Sequence, residues 1–163
     1  MSPTKKEKDY YHDLKIRLEE LLKSRFSEFH LEITATKTFS NKLKAEIPEH
    51  RNLIFHYLKE APPDLTGFIK EQYTTDFVVA EFKKGTLRLD DIYQARKYGE
   101  LFGAKYVMLI TTEEIPEELK RLSKVVYSLL SLPGYYKLTL VRFDEEQEQF
   151  VDWFEENPFL KGS

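Results

Sequence analysis

The sequence predicts an α/β layered domain, with helices flanking a central mixed sheet, on three observations. Segments with a 3.6-residue apolar period alternate along the chain with segments that alternate at period two or are continuously apolar. Two strand-like runs, DLTGFI (64–69) and TDFVVAEFK (75–83), lie a few residues apart and read as an antiparallel hairpin. A helical stretch at 90–102 leads into YVMLIT (106–111), whose unbroken apolar character marks a buried strand. The helix between 75–83 and 106–111 allows those two strands to be parallel neighbours.

The elements follow in order. Residues 10–29 carry Tyr11, Leu14, Leu18, Leu21, Leu22, Phe26 and Phe29 on one helical stripe. Leu31, Ile33 and Ala35 then alternate with polar residues up to Thr38, a strand pattern. FSNK (39–42) signals a turn, and 43–47 reads as a short second strand. Pro48 opens a helix over about 49–60, with Leu53, Ile54, Tyr57 and Leu58 on one side. It must stop by Pro62-Pro63, because proline disfavours the helical region in the residue before it. The turn KEQYT between the hairpin strands lacks Gly, Asn and Pro and is inferred from its flanks. In 90–102, Asp90 is placed as N-cap and Gly103 as the residue that ends the helix, with Ile92, Ala95, Gly99 and Phe102 on the buried stripe. Residues 116–132 read as another helix carrying Leu119, Leu122, Val126 and Leu129, closed by Pro133-Gly134. Residues 136–143 alternate as a last strand, and 150–156 fits helix or strand equally.

The 163 residues bound the chain to a single domain spanning 1–163, and 41% hydrophobic content is enough to fill a core. With no Cys, disulfide scaffolds and Cys-based zinc sites are excluded. No apolar run is long enough to span a membrane, and the basic first residues precede no apolar stretch of the signal-peptide kind. A cytoplasmic protein with no membrane partner is the expectation. The net charge of −3 is unevenly spread: the acidic segment 143–157 holds seven Asp and Glu and no Lys or Arg. Outside it, 25 basic residues face 21 acidic ones, so the overall sign is a poor guide to partners.

Chemistry concentrates on the hairpin. With its turn centred on Gln72-Tyr73, cross-strand partners have numbers that sum to 145, which sets Asp64 opposite Glu81. Directly opposed residues share a face, with Cβ atoms about 5 Å apart. Lys83 lies two residues from Glu81 and points the same way, whereas Asp76, at an odd separation, points away. A register slip of one would undo the arrangement. Two carboxylates this close repel unless a cation lies between them. Mg²⁺, which takes one or two carboxylates with waters and phosphate oxygens, suits the pair, with the backbone carbonyl of Phe82 as a further oxygen. A lysine alongside can orient a water or offset charge in the transition state of phosphodiester hydrolysis. Taken singly, Asp64 is an ordinary strand entry after two prolines and Glu81-x-Lys83 an ordinary solvated pair. Charges closing the apolar run 77–80 nevertheless call for a partner.

Pro63-Asp64, then Glu81-Phe82-Lys83, then a helix with Gln94-Ala95-Arg96-Lys97-Tyr98, resembles the PD-(D/E)xK nuclease superfamily, and within it the RecB-type and Holliday-junction-resolvase-like members. The resemblance runs from about residue 62 to 111. It implies a restriction-endonuclease-like αβββαβ core and Mg²⁺-dependent cleavage of DNA or, less often, RNA, with Mn²⁺ as a substitute. By the same resemblance Asp64 and Glu81 bind metal, Lys83 acts on the water or transition state, and Gln94 and Tyr98 contact substrate or support the site. Some members add an acid from the first helix, for which Glu19, at the flank of the stripe, is the candidate. The helix at 49–60 is an addition to the superfamily pattern.

Lys70, Lys84, Arg88, Arg96, Lys97 and Lys105, all expected near the proposed site, could neutralise phosphates or could be solubilising charges. Cleavage of both DNA strands would call for a homodimer, although no interface signature is visible. A domain of the same fold that binds nucleic acid or protein without cleaving is the alternative. A third reading, an interaction module with accidental acids, expects Asp64 and Glu81 to lie far apart or on opposite faces. His12, His30, His50 and His56 show no metal-ligand spacing, and Lys84-Gly85-Thr86 is too short for a phosphate loop. Gly67 inside a strand marks a bulge or a close approach by another chain, and Trp153 is expected to dock on the core.

Overall fold

The computed structural model describes residues 5–160. Among the described residues, five α-helices and seven strands follow a first 3₁₀ turn at Glu7–Asp9: α1 (Tyr11–Arg25), β1 (Phe29–Ile33), α2 (Asn41–Lys44), α3 (Ile54–Leu58), β2 (Leu65–Lys70), β3 (Thr75–Lys83), α4 (Leu89–Phe102), β4 (Tyr106–Thr111), α5 (Glu117–Val125), β5 (Ser131–Leu132), β6 (Tyr136–Asp144) and β7 (Gln149–Val151). They build one mixed seven-stranded sheet in the order β1-β2-β3-β4-β6-β5, with β7 also on β6. β1, β2 and β3 are antiparallel neighbours, whereas β3, β4 and β6 run parallel, joined by crossovers through α4 and α5.

Helices cover both faces of the sheet. Leu14, Leu18 and Leu22 of α1 are fully buried against Val78, Ala80, Met108 and Ile110. Ile92, Ala95 and Phe102 of α4 pack with Phe77, Val79, Val107 and Leu109 on the opposite face, with Leu43, Leu58 and Leu119 from α2, α3 and α5. Each such side chain contributes roughly 1.5–3 kcal/mol by leaving water. Successive residues of β3 therefore serve different layers, the odd numbers facing α4 and the even ones α1.

Several boundaries differ from those the sequence predicts. The first helix ends at Arg25 and the strand after it begins at Phe29, because Phe26 adopts extended backbone at the helix end. The strand expected at 43–47 is instead the end of α2 and a following turn; α2 is capped by Ser40, whose Oγ accepts from the Leu43 N–H at 3.1 Å. The helix expected at 49–60 splits into a 3₁₀ turn at Glu49–Arg51 and the short α3. The α4 N-cap is Arg88, not Asp90: Asp91 reaches back to accept from the Arg88 N–H at 2.8 Å. Gly103 does end α4, at φ +62 in the left-handed region. Helix α5 stops at Val125, where Val126 leaves helical backbone, so that Leu129 and Leu130 turn into the core and 131–132 forms β5. The undecided 150–156 stretch supplies the end of β7.

Gly67 answers a close approach. A Cβ there would lie 2.1 Å from the His30 carbonyl oxygen of β1, so the space is needed by the neighbouring backbone. The acidic segment is no free tail. It closes β6, turns into β7 and is held by Arg17–Glu148 at 2.8 Å and Arg142–Asp152 at 2.7 Å. Trp153 docks on the core between Phe150 and Phe159, at ring-centroid distances of 5.9 and 6.5 Å. No helix among the described residues is long and apolar enough to cross a membrane.

Candidate active site

The hairpin register fixes the site. Leu65 pairs with Ala80 and Phe68 with Phe77, which is the register with partner numbers summing to 145, so Asp64 meets Glu81 at the open end of the β2–β3 ladder. The two acids bind each other's strand reciprocally. The Asp64 N–H donates to Glu81 Oε1 at 2.8 Å, and the Phe82 N–H donates to Asp64 Oδ2 at 2.8 Å. The expectation of the accidental-acid reading, that the pair lie far apart, is not met.

The approach to Asp64 is held rigidly. The Pro63 carbonyl accepts from Thr34 Oγ1 at 2.5 Å, and the Asp64 carbonyl accepts from the Thr34 N–H at 2.9 Å. Tyr98, fully buried on α4, donates its hydroxyl to the Ala61 carbonyl at 2.8 Å and accepts from Gln94 Nε2 at 3.1 Å. The two residues of the Gln-x-x-x-Tyr element thus differ in role. Tyr98 braces the segment that delivers Asp64, while Gln94 is exposed on the helix surface. Burial, with the negative field of Glu81 added, pushes the Tyr98 phenol up to about 12, so it remains a donor.

Lys83 shares the α4-side face with Glu81, and its Nζ lies 4.0 Å from Asp91 Oδ1 on the first turn of α4. Burial raises the carboxyls of both Asp64 and Glu81 above the ordinary carboxylate range. The Asp64 charge raises Glu81 further, and donation from Phe82 and Tyr11 partly offsets the effect at Asp64. Both effects favour the protonated form of the pair, and a cation bound between the carboxylates would oppose them.

Two further groups reach the site from the chain's beginning. Tyr11 Oη donates to Asp64 Oδ1 at 2.9 Å. Glu7, in the first 3₁₀ turn, accepts from the Lys84 N–H at 3.1 Å, and its charge raises both Asp64 and Glu81. Sequence reasoning counted Tyr11 only as part of an apolar stripe and missed Glu7, because no spacing or periodicity links residue 7 to residues 64 and 81. Glu19, the sequence candidate for an added acid, lies two turns further along α1 and pairs with Lys15 at 3.0 Å. Lys84 and Arg88 flank the loop that leaves β3 for α4. Arg96 and Lys97 instead line a shallow groove between α4 and 131–133, with the Arg96 guanidinium 5.5 Å from the Tyr93 ring centre. His30 is engaged by Glu32 at 2.7 Å.

Among the described residues, no three His, Cys, Asp or Glu side chains are gathered closely enough to make a metal site by themselves. The donor set present is two carboxylates and the Phe82 carbonyl. Extended backbone presents the N–H and C=O of one residue to the same side, so that carbonyl shares the side on which the Phe82 N–H meets Asp64. Hard oxygen donors of this number, completed by waters and phosphate, fit Mg²⁺. No protein-family model, curated protein or solved structure matches the chain.

Proposed function

We propose that the protein is a metal-dependent nuclease that hydrolyses phosphodiester bonds in DNA. The observation that carries this reading is the Asp64–Glu81 pair, held by reciprocal hydrogen bonds on adjacent strands with Lys83 on the Glu81 face. The succession of α1, three antiparallel strands, α4 and the parallel β4 agrees with a restriction-endonuclease-like αβββαβ core. Asp64, Glu81 and the Phe82 carbonyl would hold Mg²⁺ or Mn²⁺. A bound divalent ion supplies Lewis-acid polarisation of the phosphate and an acidified water. Lys83 orients the attacking water and offsets charge that grows on the phosphate oxygens. Tyr11 and the Phe82 amide keep the Asp64 carboxylate from rotating, and Tyr98 fixes the backbone behind it. Lys84 and Arg88 contact flanking phosphates.

The test is cleavage of plasmid and branched DNA with Mg²⁺ or Mn²⁺. Asp64→Asn and Glu81→Gln should abolish cleavage and the heat of metal binding together. Lys83→Ala should bind metal as the wild type does and cleave roughly 10²–10³-fold more slowly. Cleavage that survives in Asp64→Asn or Glu81→Gln removes the proposed site. Oligonucleotide binding with neither cleavage nor metal binding establishes the non-cleaving alternative.

A further inference from the structure

The first 3₁₀ turn has an inner and an outer side. Inward, Glu7 accepts from the Lys84 N–H at 3.1 Å, and the Lys5 carbonyl accepts from Lys84 Nζ. Asp9 is turned back on its own segment, accepting from the Lys6 N–H at 2.9 Å. The acids of the turn are thus committed to backbone amides, while Lys5, Lys6 and Lys8 are exposed. The turn is moored directly beside Lys83 and Lys84 at the end of β3, and Tyr11, one residue past Tyr10, reaches Asp64. Across the β3–α4 loop stands the exposed Arg88. On the remaining side the ring of Tyr10 lies under Lys5 Nζ at 4.5 Å, and its hydroxyl donates to Glu145 in the acidic turn between β6 and β7.

We infer that Lys6 and Lys8 of the moored turn, with Lys84 and Arg88, form a cationic collar that seats a DNA backbone over the acid pair. The inference rests on the nuclease reading and deepens it by specifying the path of the strand. Phosphates follow the line from the turn across Lys84 to Arg88. The acidic 144–148 turn, tied to Tyr10 and Arg17, bounds that line by repulsion. The collar explains how a chain of net charge −3 can hold a polyanion: four of its acids, Asp144, Glu145, Glu146 and Glu148, sit in the turn that forms the boundary.

Fluorescence anisotropy of a short labelled DNA duplex, titrated in chelator over a series of salt concentrations, tests the collar without requiring cleavage. Lys6→Ala/Lys8→Ala should weaken binding at least roughly tenfold at low salt and flatten the plot of log affinity against log salt by about 1.8, two phosphate contacts' worth. Lys6→Gln/Lys8→Gln should do the same. The control pair Lys23→Ala/Lys137→Ala, at the opposite end of the molecule, should leave the slope unchanged. An unchanged slope in both collar variants, or an equal change in the control, overturns the inference. If those variants bind as wild type does while the wild type cleaves, the collar alone fails. If Asp64→Asn still cleaves, the nuclease site fails instead.

Discussion

Replacing Glu81 by Gln should stabilise the metal-free protein, although it removes a side chain that makes a good hydrogen bond. Gln retains the Oε1 acceptor that the Asp64 N–H uses at 2.8 Å, so the strand-to-strand tie survives. What disappears is a carboxyl pushed up by burial and by the neighbouring charges of Asp64, Glu7 and Asp91. Two full charges about 5 Å apart at an effective dielectric of about 20 repel by roughly 3 kcal/mol. Proton sharing within the pair reduces this, and the expected gain is about 1–3 kcal/mol at pH 8. In a chain of this size each kcal/mol moves the melting temperature by about 2–4 °C.

The pH dependence gives the sharper test. With both carboxyls raised, the folded state holds more protons than the unfolded one above the ordinary carboxylate range. The pair's contribution to stability is therefore complete below about pH 4 and is lost as pH rises through the raised values. Thermal unfolding in chelator from pH 4 to pH 9 should show the wild type falling more steeply than Glu81→Gln, with the two curves meeting at the acid end. Under the proposed function, in which Mg²⁺ binds the deprotonated pair, the ion should restore the wild type at high pH and leave the variant unmoved. A variant less stable than wild type at pH 8, or a difference that does not vary with pH, would refute the electrostatic account.

Gly67→Ala should unfold the protein or cost more than about 3 kcal/mol in urea titration, because the added methyl meets β1 backbone at 2.1 Å. Tyr98→Phe removes the donor to the Ala61 carbonyl; an expected loss of about 1–2 kcal/mol should come with weaker metal binding, read by calorimetry. Tyr11→Phe frees Asp64 Oδ1 and should leave the α1 core intact, so near-unchanged far-ultraviolet circular dichroism should accompany an altered metal affinity. Ser40→Ala should cost about 1 kcal/mol through loss of the α2 cap and leave metal binding unchanged.

The hairpin shows why part of the site is readable in the sequence. Side chains of a strand alternate strictly, and a turn with equal arms has one natural centre. Asp64, Glu81 and Lys83 can therefore be assigned to one face from numbering alone, and the β2–β3 pairing follows that register. The parallel step through α4 to β4 is readable for a similar reason, because a continuous apolar run after an amphipathic helix has few other places to go. The errors fall where local pattern is short or persists past the element. Four-residue α2 has too few residues to display a helical period. Val126 and Leu129 continue the α5 period although the backbone has already turned to bury Leu129 and Leu130.

The sequence by itself determined the layered α/β class, the facing acids and the uneven distribution of charge, all consequences of periodicity and composition within a few dozen residues. Only the tertiary structure decided that Tyr11 reaches Asp64 and Glu7 the Lys84 amide beside the pair, that Tyr98 supports the Pro62-Pro63 approach while Gln94 faces solvent, and that the acidic segment is a docked hairpin. Those contacts join residues more than thirty positions apart. They arise because α1 and α4 must bury their apolar stripes on opposite faces of one sheet. That packing carries the polar ends of both helices to the same end of β3, a coincidence no local spacing encodes.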